Sequence, residues 1–512
     1  MTAARFFCRI GLVLLLALAA SARARAATPD LALKLNQPMG EPLARAMLAR
    51  FGYGATERSL AEYARLSPRA MLQRGIRDGA MLPETVRQQL AALPSSHPTD
   101  QLWREFGPQR QQEVRRSGDA MAWRALDLGG QAMVRSVVHR RLLAMANSDN
   151  PAHESLLSFW LNHFSVHVYR GWVRWVANDY ASQIETAMAD DRFEPLLRAS
   201  FYHLAMHSYL DNLSTVSPDS PLGRRGRSRQ NENLARELLE LHTLGVNGGY
   251  TQADVQALAR IISGVAPPDL ANPASLADGR GGFVLDPARQ DDGDKTLLGQ
   301  YYPAGGGRAD IDRALHQLAS HPATARHISH KLAVRFLADQ PSEALVARMA
   351  QVFVRTQGRV SATLSVLLAS AEFARSLQPP GKFREPLDYV LALSRAVCQE
   401  RPILYTEPLL VALLGMGQAP FMHVSPEGYG ARQSDWLSPL AMVQRVRVAD
   451  NLAMQRWRLT GPSDAPQPCL IDPAALAHSL GPAAASTQAA LTGLDARQQV
   501  VVRLAAPEGL WR

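Results

Sequence analysis

Cysteine is scarce in this 512-residue chain, which contains only Cys8, Cys398 and Cys469. Three cysteines are too few to frame a small disulfide-stapled scaffold, so a hydrophobic core must carry the fold. Charge is also modest: charged residues make up 20% of the chain against 46% hydrophobic, a balance that excludes wholesale disorder. Several motifs are missing as well. We find no Gly-rich nucleotide loop, no HExxH helix, no nucleophile elbow or serine triad, and no repeat of fixed period. Downstream of the N-terminal segment, no apolar run is long enough to cross a bilayer.

The N-terminal segment has a pattern of its own. Arg5 and Arg9 precede the apolar run 10–20, and Ala24-Arg25-Ala26 supplies small residues for cleavage. This is the pattern of a secretory signal peptide over residues 1–26, and the run is too short to serve as a membrane span. Removing it deletes Arg5, Arg9, Arg23 and Arg25, which lowers the formal charge from +9 to +5. So small a positive charge, together with an exported location, periplasmic or extracellular, argues against nucleic acid as a partner. Cys398 and Cys469 remain, and an oxidising compartment would permit their pairing; sequence separation leaves that open.

Hydrophobic spacing favours helices nearly throughout, so the expected fold is a mainly α, multi-helical globular assembly. Residues 27–460 form the expected helical domain, divisible into two lobes near 265–310, and 461–512 form a C-terminal extension. Between 83 and 123, polar sequence with prolines at 83, 94, 98 and 108 is expected to wrap the surface. After Gly129-Gly130 the pattern predicts a helix over 131–145, and a second from His153 to about His167. In that second helix His163 and His167 would stand one turn apart, the spacing at which two imidazoles can share a metal. No helix-borne glutamate accompanies them, so a core-edge histidine and an exposed one is the competing account. Gly282–Leu285 and Lys295–Leu298 are expected to pair as one small hairpin. Asp291, Asp292 and Asp294 in its loop depart from the calcium-loop spacing and fit a turn.

The richest stretch runs from Asn231 to Tyr250. Leu234, Leu238 and Leu241 would share one helical face, with Arg236 and Glu240 one turn apart on the other side. At about 100° per residue, Glu237 and His242 would stand roughly 140° apart and could not both reach one metal from this helix alone. Asn231 or Asn233 would cap the start, and Gly245 fits a left-handed position past the end. Thr251 and Asp254 would form a capping box for the next helix. The preceding loop carries Arg224, Arg225, Arg227 and Arg229, which could grip an anionic lipid or sugar or stand solvated.

The ordered series Arg50-Phe51-Gly52, Trp160-Leu-Asn-His-Phe164, Tyr209-Leu-Asp-Asn212, the Asn231–Tyr250 stretch, Asp291-Asp-Gly-Asp-Lys295, His321-Pro-Ala-Thr-Ala-Arg326 and Trp436-Leu-Ser-Pro resembles a family of exported bacterial proteins catalogued as domain of unknown function 1800. The resemblance implies a mostly helical secreted protein, encoded beside a second exported protein that is a possible partner, and it implies no reaction. The family's polar signature falls here on Asn162, His163, Asp211, Asn212, Asn231, Glu232, Asn233, Arg236, Glu237, Glu240 and His242. Two departures are Gln290, where the family pattern has histidine, and Ser263-Gly264-Val265, where it has Thr-Gly-Trp.

Two functional readings follow. In the first, His163, Asp211, Glu237 and His242 converge as a catalytic group. Asn162, Asn231, Asn233, Arg236 and Glu240 would bind, and the reaction would be hydrolysis of an envelope or extracellular polymer. In the second, the same residues brace packed helices and the protein is a non-catalytic envelope scaffold or binding partner. The residue pattern specifies neither a metal nor a cofactor, and membrane association beyond the signal peptide is not expected.

Overall fold

A computed structural model describes residues 32–266, 284–461 and 464–512. The segment 1–26, expected to be a signal peptide, lies outside the described residues.

Helices dominate, and their ends obey local chemistry. Thr56 caps the Glu57–Tyr63 helix in a box with Ser59, and Ser67 caps the helix that starts at Pro68. The segment 83–123 folds into short helices Glu84–Ala91, Thr99–Phe106 and Pro108–Ser117, with its prolines at or just before helix starts, where no amide donor is needed. The next helix begins at Ala120, capped by the Asp119 carboxylate, and runs through Gly129-Gly130 to Asn147. The two glycines pack rather than break. A Cβ on Gly129 would meet the Phe106 ring at 2.5 Å, and one on Gly130 the Arg174 guanidinium at 2.8 Å.

The following helix spans Pro151–His163 and stops short of the expected end. Tertiary bonds turn the chain away. The Tyr180 hydroxyl donates to the Phe164 carbonyl at 2.8 Å, and the Val168 amide donates to Phe421 at 2.9 Å. His163 and His167 are therefore not one helical turn apart, which removes the two-imidazole arrangement. Among the described residues there are three small two-stranded antiparallel sheets. The expected hairpin is re-paired. Lys295–Leu297 joins Gln300–Tyr302 across Leu298-Gly299, while Val284–Leu285 joins Val265–Ala266. Both turn residues have positive φ, 48° at Leu298 and 77° at Gly299, which suits a tight two-residue hairpin better than the longer acidic loop. That loop is held elsewhere: Asp291 is buried, bonded to both Nε and Nη2 of Arg260 and to Ser217. Its charge is thus neutralised by arginine, and the segment is a braced turn.

Two large apolar clusters and a small one around Val86, Leu90 and Leu143 form the interior of the described residues. The larger gathers residues from Met39 to Phe373 and includes Phe421; the second gathers residues mainly from 383–510 around the Pro386–Cys398 helix, together with Tyr53 and Val138–Ala146. Residues 461–512 contribute Cys469, Leu476, Val501 and Leu504 to the second cluster. Cys398 and Cys469 form a disulfide with Cα atoms 4.9 Å apart. Buried arginines bind the segments together. Arg50 donates to the carbonyls of Phe336, Leu337, Ser376 and Arg512, while Phe51 stacks on Phe336 with ring centroids 4.5 Å apart. Arg335 pairs with Glu385 and Asp388 at 3.0 and 2.9 Å.

Candidate functional site

The Asn231–Tyr250 stretch folds as an α-helix over Asn233–Glu237 that widens into one π turn, Leu238–His242. The Asn231 carboxamide oxygen accepts the Asn233 amide at 2.9 Å, and Gly245 takes φ +87° beyond the turn, as its position suggested. Single π turns inside helices often mark functional sites, because the extra residue re-aims the side chains around it. Bonds from residue i to i+5 also replace the 100° step, so Glu237 and His242 are less divergent than regular helix arithmetic gives. They nevertheless serve different neighbourhoods.

His242 points inward and is 1% exposed, as is His163. The His163 Nε2–H donates to the His242 carbonyl at 3.1 Å, and His327 donates likewise to Leu241 at 3.1 Å. Ring centroids of His163 lie 6.2 Å from His242 and 6.3 Å from His327. Burial, followed by the nearby Lys331 charge, lowers all three imidazoles: His163 well below the usual range, His242 to about 3 and His327 to about 4. At neutral pH they are uncharged. Among the described residues no group of three or more His, Cys, Asp or Glu side chains is placed to hold a metal ion.

Glu237 stands on the outer side, partly buried. Burial, then the carboxylates of Glu240 and Glu427, raise its pKa to about 7, against the pull of Arg236. No hydrogen bond or ion pair satisfies it among the described residues. Its neighbours are better tied: Arg236 reaches Glu232 and Glu240 at 3.5 Å each and the Gln252 side-chain oxygen at 2.9 Å. Tyr209, whose pKa is raised by burial and then by the Glu237 charge, donates its hydroxyl to the Val424 carbonyl at 2.6 Å.

Asp211 does not join this group. It is exposed, in a left-handed turn at φ +58°, and pairs with Arg170 at 2.6 Å. Its carbonyl accepts the Asn231 side-chain amide at 3.2 Å, while the buried Asn212 meets the His207 ring at 3.0 Å. Asn233 is exposed. The four expected catalytic residues thus split three ways: His163 with His242 inside, Glu237 at the edge, and Asp211 on the surface. Alternation of polar residues along one stretch cannot reveal that split, because burial is decided by partners far away in sequence.

A cavity of about 630 Å³ has a wall that includes Asn162, Lys331, Glu427, Tyr429, Arg432 and Trp436; Glu237 is not part of this wall, and Glu427, whose charge acts on it, connects the two. Asn162 clasps the backbone of Tyr429, accepting its amide at 2.7 Å and donating to its carbonyl at 2.9 Å, so the segment around 421–430 is fixed against the Pro151–His163 helix. Lys331 comes from the Pro322–Phe336 helix. Burial lowers its pKa to about 8, with the field of Glu427 acting the other way. Glu427 therefore acts on both Glu237 and Lys331. The sequence did carry a signal for Lys331: it stands at helical spacing beside the apolar Ile328 and Leu332, where a cation needs a reason.

These features define a mainly helical protein with an unpaired carboxyl of raised pKa and a cavity lined by a lysine ammonium, both under the influence of Glu427. No helix among the described residues is long and apolar enough to cross a membrane. The chain belongs to the family described as Protein of unknown function (DUF1800), whose model matches residues 46–508. Comparisons with curated proteins and with solved structures returned no match.

Proposed function

We propose that this protein is an exported hydrolase that cleaves an envelope or extracellular polymer by general acid–base chemistry, with Glu237 carrying the proton. The supporting observation is the state of Glu237: raised to about 7, partly open to solvent and unpaired. A carboxyl near its midpoint at neutral pH can take a proton from an attacking water and return it to the leaving group. Glu427 acts electrostatically on Glu237, and Arg236 holds Glu240 on the adjacent turn. His163 and His242 support the π turn from within rather than handling protons. Export rests on the leader-like residues 1–26 and is consistent with the Cys398–Cys469 disulfide, a bond that persists in oxidising compartments. The second exported protein implied by the family resemblance would be its partner.

The test is fragment release from purified peptidoglycan and from a panel of extracellular polysaccharides, by wild type and Glu237→Gln. We expect the substitution to lower the rate about 100-fold or more, and the wild-type rate to follow an ionisation near pH 7. Equal rates for the two proteins, or no release from any polymer, would reject the reading.

A scaffold reading draws on a different observation: Asn162, His163 and His327 all bond backbone carbonyls, and Asp211 is taken by Arg170. It predicts that Glu237→Gln leaves capture of the partner unchanged and that no polymer is cut.

A further inference from the structure

Most charges around the 630 Å³ cavity are already balanced within the protein. Arg335 is held by Glu385 and Asp388 and Arg141 by Glu154 at 2.7 Å, while the Asp435 carboxylate accepts a hydrogen bond from the backbone amide of Arg432 at 2.8 Å. The carboxamides are used too: Gln418 bonds Glu385 and the Leu387 amide, and Asn162 bonds Tyr429. Lys331 is different. It lines the cavity, its charge is felt by the neutral rings of His163, His242 and His327, which cannot balance it, and its ammonium has no hydrogen bond or ion pair among the described residues. Glu427, its one carboxylate influence, is exposed. Arg432, also exposed, adds a second cation to the wall.

Lys331 is only partly buried, so its ammonium faces the cavity without a protein acceptor, and an oxyanion entering there would gain a charge-assisted hydrogen bond in surroundings less polar than bulk water. The same cavity offers an aromatic wall: the Tyr429 and Trp436 rings lie 5.9 Å apart, tilted by 46°, and both residues line it. The Tyr429 hydroxyl is tied to Ala419, which leaves the ring as a fixed surface. An aromatic wall beside an unsatisfied cation suits a ring-containing unit that bears an oxyanion, and the volume falls within the range of about 300–1,000 Å³ usual for small-ligand sites.

We propose that this cavity is an anion subsite in which the Lys331 ammonium, assisted by Arg432, receives a carboxylate or phosphate carried by a polymer unit, while Tyr429 and Trp436 pack against the unit's apolar face. The inference deepens the hydrolase reading, on which it rests, by making the substrate an acidic polymer. Its two sources, a uronate-type glycan and a phosphodiester-linked polymer, share that chemistry.

The test is titration calorimetry of the full protein with trigalacturonate, with glycerol 1-phosphate and with neutral maltotriose, repeated on Lys331→Met and Lys331→Arg. At least one anionic probe should bind wild type while maltotriose does not. Binding should weaken tenfold or more in Lys331→Met and stay within threefold in Lys331→Arg, with the melting temperature of Lys331→Met no lower than that of wild type. Preference for trigalacturonate identifies the uronate source, and preference for glycerol 1-phosphate the phosphate source. No anion binding, equal binding of maltotriose, or undiminished binding by Lys331→Met overturns the anion subsite. The two proposals fail separately: Glu237-dependent cleavage of a neutral polymer without anion binding removes the subsite and keeps the hydrolase. Anion binding without cleavage of any polymer does the reverse.

Discussion

Replacing Glu237 by glutamine should make the protein more stable, and only in one pH range. The Glu237 carboxyl moves from 4.5 to about 7 on folding, chiefly because the folded protein withdraws it from water and sets it beside Glu240 and Glu427. The folded state therefore binds this proton more tightly than the unfolded chain does. Wild type carries no penalty below the unfolded value, loses stability as pH rises from 4.5 towards 7, and bears the full cost above 7. At about 1.4 kcal/mol per unit the unscreened cost is roughly 3 kcal/mol; contact with solvent reduces it to about 1–2 kcal/mol. Glutamine is neutral and similar in shape, so it removes the cost without opening a hole. In a protein of this size the gain is a melting-temperature rise of about 1–2 °C. Differential scanning calorimetry of both proteins at pH 4.5, 6 and 8 should show curves that coincide at the lowest pH and separate at the highest. A difference that is the same at every pH, or a less stable variant at pH 8, would refute the argument.

Two further outcomes follow from the architecture. Reduction of the Cys398–Cys469 bond, or its replacement by a serine pair, frees a loop of sequence separation 71 and should cost about 4 kcal/mol on chain entropy; a melting temperature indifferent to reductant would contradict this. Gly245→Ala should destabilise by about 1–2 kcal/mol, because φ is +87° there and the new Cβ would sit 2.9 Å from His327 Nδ1. Urea unfolding that finds the variant within about 0.3 kcal/mol of wild type would show that the His327 side yields more easily than its packing suggests.

Much of the fold was legible because the deciding interactions are local. Thr251 accepts from the Asp254 amide and Asp254 returns the bond, as the four-residue pattern indicated. Gly245 was readable because few residues other than glycine adopt its conformation. Where a distant partner decides, the sequence misleads. Gly129-Gly130 reads as a break until Phe106 and Arg174 are seen against it, and the Pro151–His163 helix ends where Tyr180 and Phe421 take its successors' backbone groups. The site divides in the same way. Glu237 was visible as a carboxylate on the edge of a leucine stripe. Its divergence from His242 was legible in the helical arithmetic; the π turn that reduces that divergence was not, nor was the involvement of Glu427 and Lys331, which lie far along the chain.

Arg50 illustrates what such distant decisions do over time. Its helix ends at Phe51, yet its guanidinium is satisfied by acceptors near residues 336, 376 and 512. Until those segments arrive, that cation must remain hydrated, and the apolar stripe beside it cannot close. One of the first helices in the chain is therefore among the last to dock, and long-range closure of this kind slows folding. Refolding monitored by hydrogen exchange would find residues 44–51 gaining protection together with 332–337, not ahead of them.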